Sequence, residues 1–408
     1  MIWKKNTSID TDKEKIEEAI SRSIDTIYPS RDALRELLLS GKQISVYVGI
    51  DPTADYVHLG HSTNYLILER LHKLGHKIIV LVGDFTAMIG DPSDKTSARI
   101  PLTEKDVQKN LTSFKQQIGK ILDFKNKQNP IEFRFNSEWL AKLSLKKIIE
   151  LSSNFTVQHM LERDMFEKRM QEKKPLFVHE FFYPLLQGYD SVALAVDMEI
   201  GGTDQTFNML AGRTLVKRYL NRDKFVMTTT LLENPVTGEK LMSKSLGTGI
   251  GLNESAENMF GKIMALADEG IEQMFTDCTR LSRIQIAEKK DRLMAGENPK
   301  NLKIELAHEI VGMYHGVQAA DRAQKNFQEV FSAGGVPENI LTISADSTKL
   351  LGDVFVDEGS VSSKTQWRRL VEEGAVVNIE TKEKILDPFT RAHHGTYRIG
   401  KKTFIRIE

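Results

Sequence analysis

Two continuous apolar runs, Ser45-Val46-Tyr47-Val48-Gly49-Ile50 and Lys77-Ile78-Ile79-Val80-Leu81-Val82-Gly83, bracket a stretch from about His61 to Leu74. Within that stretch Tyr65, Leu66, Leu68 and Leu71 recur near helical spacing. β-Branched runs without polar alternation belong to strands covered on both faces. Two such runs joined by a helix within about forty residues form a βαβ unit, which commits the first half of the chain to a parallel sheet wrapped by helices. Ile131 to Phe135, Met198 to Gly201 and Phe225 to Leu232 are further candidate strands, so the sheet is expected to continue to about residue 235.

From Ser255 the pattern changes. Met259, Phe260, Ile263, Met264 and Leu266, then Leu302, Ile304, Leu306, Ile310 and Val311, repeat at helical spacing, which predicts a helical domain to about Phe331. Ser332-Ala333-Gly334-Gly335-Val336-Pro337 reads as a linker. Beyond it, helices near Leu351 to Val356 and Ser363 to Glu373 precede short strands around Val376 to Asn378 and Tyr397 to Ile399.

Composition narrows the class. A chain of 408 residues exceeds what one core usually organises, so two or three domains are expected. Lys plus Arg (56) balance Asp plus Glu (56), which removes any global positive field and leaves RNA contact to local patches. No apolar run approaches the ~20 residues that span a bilayer, and Met1 to Ser21 mixes lysines with acidic residues in a way unlike a signal peptide. The one cysteine, Cys278, cannot form an internal disulfide, fits a reducing compartment and reads as a small buried hydrophobe.

Three constellations carry chemistry. His58-Leu59-Gly60-His61 sets two histidines three apart at a helix start, where free N–H groups and the dipole attract an anion, and Gly60 leaves room for a flat group. Its position after a strand and the turn Asp51-Pro52-Thr53 is where open α/β sheets bind ligands; a surface or capping pair is the plainer alternative. In Glu239-Lys240-Leu241-Met242-Ser243-Lys244-Ser245-Leu246-Gly247, Lys240 and Lys244 suit a loop that carries positive charge onto a polyphosphate, or else a solvated loop. Tyr183, Gln187 and Asp190, at i, i+4 and i+7, share one helix face amid apolar neighbours, so three polar groups converge. A phosphate loop at Gly90 to Thr96 is rejected because Asp94 replaces the required glycine. The remaining histidines show no metal-like clustering.

The paired signatures resemble the HIGH and KMSKS motifs of the class I aminoacyl-tRNA synthetases. Nearly the whole chain resembles the bacterial type of tyrosyl-tRNA synthetase. Tyr47 to Asp55 with His58 to His61, Ile89 to Ser93, Tyr183 to Asp190, and Gly201-Gly202-Thr203-Asp204-Gln205 carry the likeness. It implies a cytoplasmic, homodimeric ligase that joins L-tyrosine to tRNA(Tyr) with ATP as substrate. Mg²⁺ would be held mainly by phosphates, with no protein metal ligands and no membrane association. By resemblance, Tyr47 and Asp190 hold the phenolic hydroxyl, Asp91, Tyr183 and Gln187 the α-ammonium, and Gln205 lies near the carboxylate end. Gly49, Asp51, Gly60, Gly201 and Asp204 would shape the ATP and adenylate site. Thr53, His58, His61, Lys244 and Ser245 would be the catalytic groups at the phosphates, assisted by Lys240, Lys95 and Arg99. Aligned on Met242 to Ser245, the first lysine of KMSKS falls on Leu241 and the charge moves to Lys240, which leaves open which lysine meets the phosphates. A sister enzyme using tryptophan would have less use for Tyr47 and Asp190. An RNA-binding regulator would have none for the two signatures.

Ser362 to Asn378 resembles a small RNA-binding module of a ribosomal small-subunit protein: Ser363 caps a helix, Trp367, Leu370 and Val371 face the core, and Lys364, Arg368 and Arg369 face outward. Lys349 to Glu408 holds 11 Lys plus Arg against 9 Asp plus Glu, a modest excess. The expected fold class is α/β. A Rossmann-like parallel-sheet catalytic domain spans 1–250, with a dimerisation insertion near 102–174. An α-helical anticodon-binding domain spans 251–335, and a small α+β RNA-binding module spans 345–408.

Overall fold

The computed structural model describes residues 8–408 except 94–101, 235, 239, 243–248, 333–340, 344, 346–347 and 401–402. Lys95, Arg99, Lys244, Ser245 and residues 333–337 of the linker lie outside the described residues. Contacts divide the chain into two compact units, Met1–Val317 and Gln318–Glu408.

Among the described residues of the first unit, six strands form one sheet: β1 Ile24–Tyr28, β2 Ser45–Ile50, β3 Lys77–Val82, β4 Glu132–Phe135, β5 Met198–Gly202 and β6 Phe225–Thr229. Their order is β1-β6-β5-β2-β3-β4, with every neighbouring pair parallel except β1 against β6. This is the Rossmann-like arrangement the apolar runs predict. Ile78 to Val82 are all buried because helices cover both faces, and each such side chain contributes ~1.5–3 kcal/mol through its removal from water. The edge strand β1 escapes sequence reading: Ile-Asp-Thr-Ile-Tyr is half exposed, so it lacks the continuous apolar signature of its parallel neighbours.

The Leu59–Lys73 helix starts two residues before the expected His61, because His58 serves as its N-cap. The helices Ala256–Met264, Ile271–Cys278, Arg283–Met294 and Pro299–His315 follow the sheet and belong to the same compact unit. A buried guanidinium ties them to it. Arg22, just ahead of β1, donates to the carbonyl oxygens of Thr276 (2.8 Å), Thr279 (2.9 Å) and Leu281 (2.6 Å), satisfying acceptors at the end of the Ile271–Cys278 helix.

Among the described residues of the second unit, β7 Leu341–Ile343, β8 Val376–Asn378, β9 Gly395–Ile399 and β10 Thr403–Ile407 form a sheet of order β7-β10-β9-β8. Only β7 and β10 pair in parallel. Phe355, from the Leu351–Asp357 helix, packs edge-on to Trp367 and Tyr397 at 5.6 and 5.8 Å. Ser363 caps the Lys364–Glu372 helix by accepting from the Gln366 N–H. Trp367 and Val371 are buried while Lys364, Arg368 and Arg369 are exposed. No helix among the described residues is long and apolar enough to cross a membrane.

His76, at the entry to β3, is fully buried, and its Nδ1 accepts from the Ile44 N–H at 3.4 Å. Burial pushes its pKa from 6.5 down to about 4. The unfolded chain therefore binds more protons. The stability His76 confers is whole above pH 6.5 and falls as pH drops toward 4, by an amount on the order of 3 kcal/mol. Urea unfolding between pH 7 and 4 should show a steeper loss in the wild type than in His76→Gln. Identical slopes would remove His76 as the source.

Candidate active site

In this sheet β2 leads outward through β3 to β4, and β5 leads the other way to β6. The reversal falls between β2 and β5, the place where the carboxyl ends of parallel strands leave a crevice. A cavity of about 300 Å³ occupies it. Gly49, Asp51, Thr53, His58, Gly60, His61, Asp91, Tyr183, Gln187, Asp190, Gly201, Asp204, Gln205 and Lys240 all line its wall. Residues dispersed over almost two hundred positions thus meet in one place.

Hydrogen bonds run through the wall as a continuous chain. The Asp51 carboxylate, at the end of β2, accepts from Thr86 Oγ1 at 2.7 Å and from the Tyr183 hydroxyl at 2.8 Å. Thr86 Oγ1 in turn accepts from Asn136 Nδ2 at 3.0 Å, and the same amide donates to Asp190 Oδ2 at 3.2 Å. Trp139 Nε1 donates to Asp190 Oδ1 at 2.7 Å. Burial pushes the Asp190 carboxyl well above the usual carboxylate range, and these two donors oppose that shift. Tyr183, Gln187 and Asp190 share one face of the Val178–Leu194 helix, as their spacing predicts.

Asp91 accepts from the Ser93 N–H at 2.9 Å and from Gln205 Nε2 at 2.7 Å. Arg163 stands 4.0 Å away, bonded to Ser93 Oγ and stacked near the Phe166 and Phe207 rings. At the opposite side, the His58 and His61 rings stack with centroids 3.7 Å apart at the start of the Leu59–Lys73 helix. The His58 N–H donates to His61 Nδ1 at 3.2 Å. Carboxylates of Asp51, Asp91, Asp190, Glu199 and Asp204 favour a cationic ligand group, while the helix start, the two imidazoles and Lys240 favour an anionic one. A zwitterion beside a polyphosphate satisfies both ends.

Tyr47 is placed differently. It is fully buried behind the wall, packed with Ile79, Leu81 and Val196, and its hydroxyl meets Ser191 Oγ at 2.8 Å. Burial raises the phenol pKa and keeps it neutral. Thr86, Asn136, Trp139, Arg163, Glu199 and Lys224 belong to the site yet escaped sequence reading. Only Glu199 carried a signal, as a charge inside the buried strand Met198–Gly202 that demands a partner. Among the described residues no group of three or more His, Cys, Asp or Glu is arranged to hold a metal ion.

Residues 39–332 match the family of tRNA synthetases class I (W and Y). A tyrosine–tRNA ligase of Haemophilus ducreyi is 40% identical over 396 residues, 97% of this chain and 98% of that protein. One of Carboxydothermus hydrogenoformans is 40% identical over 404 residues, 96% of this chain and 97% of that protein. A C-terminally truncated mitochondrial tyrosyl-tRNA synthetase of Aspergillus nidulans shares the fold, with TM-score 0.65 at 22% identity over 78% of this chain and 94% of that one. So does a tyrosyl-tRNA synthetase of Archaeoglobus fulgidus complexed with L-tyrosine, with TM-score 0.60 at 21% identity over 77% and 100%.

Gly83 allows the Asp51–Thr86 hydrogen bond. A Cβ there would stand 1.9 Å from Asp51 Oδ1 and 2.3 Å from Thr86 Oγ1, whereas at Gly49 it would meet nothing within 4 Å. Gly83→Ala should lower stability by ~1–3 kcal/mol, the usual cost of overpacking, and Gly49→Ala should leave it nearly unchanged. Denaturant midpoints of the two variants check this, and equal midpoints would show that the close approach is not tight.

Proposed function

The chain belongs to the tyrosine–tRNA ligase family of the class I tRNA synthetases, and on that premise we propose how its residues divide the work. The enzyme activates L-tyrosine with ATP and transfers the tyrosyl group to tRNA(Tyr). The tyrosine carboxylate attacks the α-phosphate, pyrophosphate leaves, and the terminal ribose hydroxyl of the tRNA then takes the tyrosyl group from the adenylate. A carboxylate is already a nucleophile, so the protein's part is positioning and stabilisation of phosphate charge.

The observation that carries the substrate assignment is Asp190. Its two oxygens are pinned by Trp139 and Asn136 on the cavity wall, and a carboxylate has acceptor capacity left for a phenolic hydroxyl. Tyr47 shapes this inner end from behind. Asp91, Tyr183 and Gln187 take the ammonium, and Gln205, bonded to Asp91, lies toward the carboxylate. Gly49, Asp51, Gly60, Gly201 and Asp204 frame the nucleotide, while Thr53, His58, His61 and Lys240 face its phosphates. Lys244 and Ser245 join them by resemblance. In support, Lys240 and Met242 line the cavity, and the Leu59 N–H donates to Ile250 O at 3.0 Å. Lys95 and Arg99 are assigned to the same phosphates by resemblance as well. Mg²⁺ arrives bound to ATP.

Residues 1–250 carry this chemistry, 251–335 the anticodon contacts and 345–408 a further RNA-binding surface, all in the cytoplasm. The enzyme is a homodimer joined through 102–174. In support, Leu145, Ile149, Val157 and Met170 are 75%, 62%, 66% and 52% exposed, more large apolar side chain than a free surface usually shows in one segment.

ATP–pyrophosphate exchange measured with each of the twenty amino acids should respond to tyrosine. Exchange with tryptophan alone, or none, would overturn the assignment. In sedimentation, the wild type should run at twice the chain mass and Ile149→Glu at the single mass. A wild type at the single mass would refute the dimer.

A further inference from the structure

Behind the cavity wall, Lys224 lies fully buried at the entry to β6, its ammonium against the Glu199 carboxylate and 2.8 Å from Ser191 Oγ. Gly212 makes room for it, since a Cβ there would stand 2.7 Å from Lys224 Nζ. Glu199, on β5, is 1% exposed yet borders the cavity. A buried ion pair adds little to stability beyond what apolar residues of the same volume supply. Its place directly beneath the substrate groups points to another use.

Gln187 shows what that use is. Its Nε2 donates to Glu199 Oε1 at 3.1 Å, while its own Oε1 is buried without a hydrogen-bond partner among the described residues. An ionised carboxylate only accepts, so Glu199 compels the amide to turn its NH₂ inward and leaves the carbonyl oxygen for a donor from the cavity. Ser191 Oγ donates to Glu199 Oε2 at 3.2 Å, and Lys224 also engages that oxygen, which reserves Oε1 for Gln187. Without Lys224 the buried Glu199 carboxylate would lose its charged partner at Oε2, and nothing would hold Oε1 against Gln187.

Resting on the assignment of Gln187 to the ammonium, we propose that Glu199 and Lys224 are positioning residues that hold Gln187 with its carbonyl oxygen toward the α-ammonium of the bound amino acid. The pair touches no substrate atom. It selects for an amine by fixing which end of a neutral amide the ligand meets.

The test compares calorimetric affinities of the full chain for L-tyrosine and for 3-(4-hydroxyphenyl)propanoate, which lacks the amine. Wild-type binding of L-tyrosine tests the assignment of function. The ratio of the two affinities in variants tests the inference. Lys224→Met should reduce the preference for L-tyrosine about tenfold, the order expected for losing one oriented hydrogen bond, with affinity for the propanoate little changed. Should that variant fold poorly, two charge-free doubles decide. Lys224→Met with Glu199→Gln offers Gln187 an acceptor as well as a donor and should keep part of the preference, whereas Lys224→Met with Glu199→Leu should lose it. Equal ratios in the two doubles, or parallel losses for both ligands in a folded Lys224→Met, would overturn the proposal.

Discussion

The Asp51 carboxylate accepts from Thr86 and from Tyr183, and so joins the end of β2 to the segment after β3 and to the Val178–Leu194 helix. Hydrogen bonds to a charged group run at ~1.5–3 kcal/mol each. The separation of those three elements sets the width of the cavity. Because Gln187 and Asp190 ride on the same helix as Tyr183, their depth below the mouth follows from that one attachment. Asn136 continues the chain from Thr86 to Asp190, so the end of β2 and the inner end of the cavity are held by a single hydrogen-bonded network.

The network also explains how so many carboxylates share a small space. Each has donors that oppose its desolvation: Thr86 and Tyr183 at Asp51, Ser93 and Gln205 at Asp91, Trp139 and Asn136 at Asp190, Ser191, Gln187 and Lys224 at Glu199. The donors are mostly neutral, so the wall keeps a net negative potential that a ligand ammonium completes. Repulsion among the acidic groups is thereby converted into preference for a cationic partner. The imidazole pair and helix start give the other side of the cavity the opposite sign.

What could be read from the sequence follows from range. The parallel strands announced themselves because burial on both faces demands unbroken apolar runs, and Tyr183, Gln187 and Asp190 because a helix converts spacing into a shared face. β1 gave no such sign, being an antiparallel edge with one wet face. Trp139 and Asn136 sit about fifty positions from the Asp190 they hold, in segments whose local pattern says nothing of that distance. The direction of the Tyr47 hydroxyl is a choice among packed neighbours, and strand alternation gives its side but not its partner. The helices after Ser255 were legible as helices. That those from Ala256 to His315 share the first compact unit was not, because it depends on long-range contacts such as those of Arg22.

Those contacts bear on how the chain is made. Arg22 waits for Thr276, 254 positions later, and β1 pairs with β6 across some two hundred residues. At ~5–20 residues per second of synthesis, roughly 13–50 s pass between the emergence of Arg22 and that of its carbonyl partners. Throughout that interval the arginine lacks these carbonyl partners, and for most of it β1 has no strand to pair with until β6 has been made. Asp25, the exposed second residue of β1, is a charge on a strand that must avoid other edges until its own is complete.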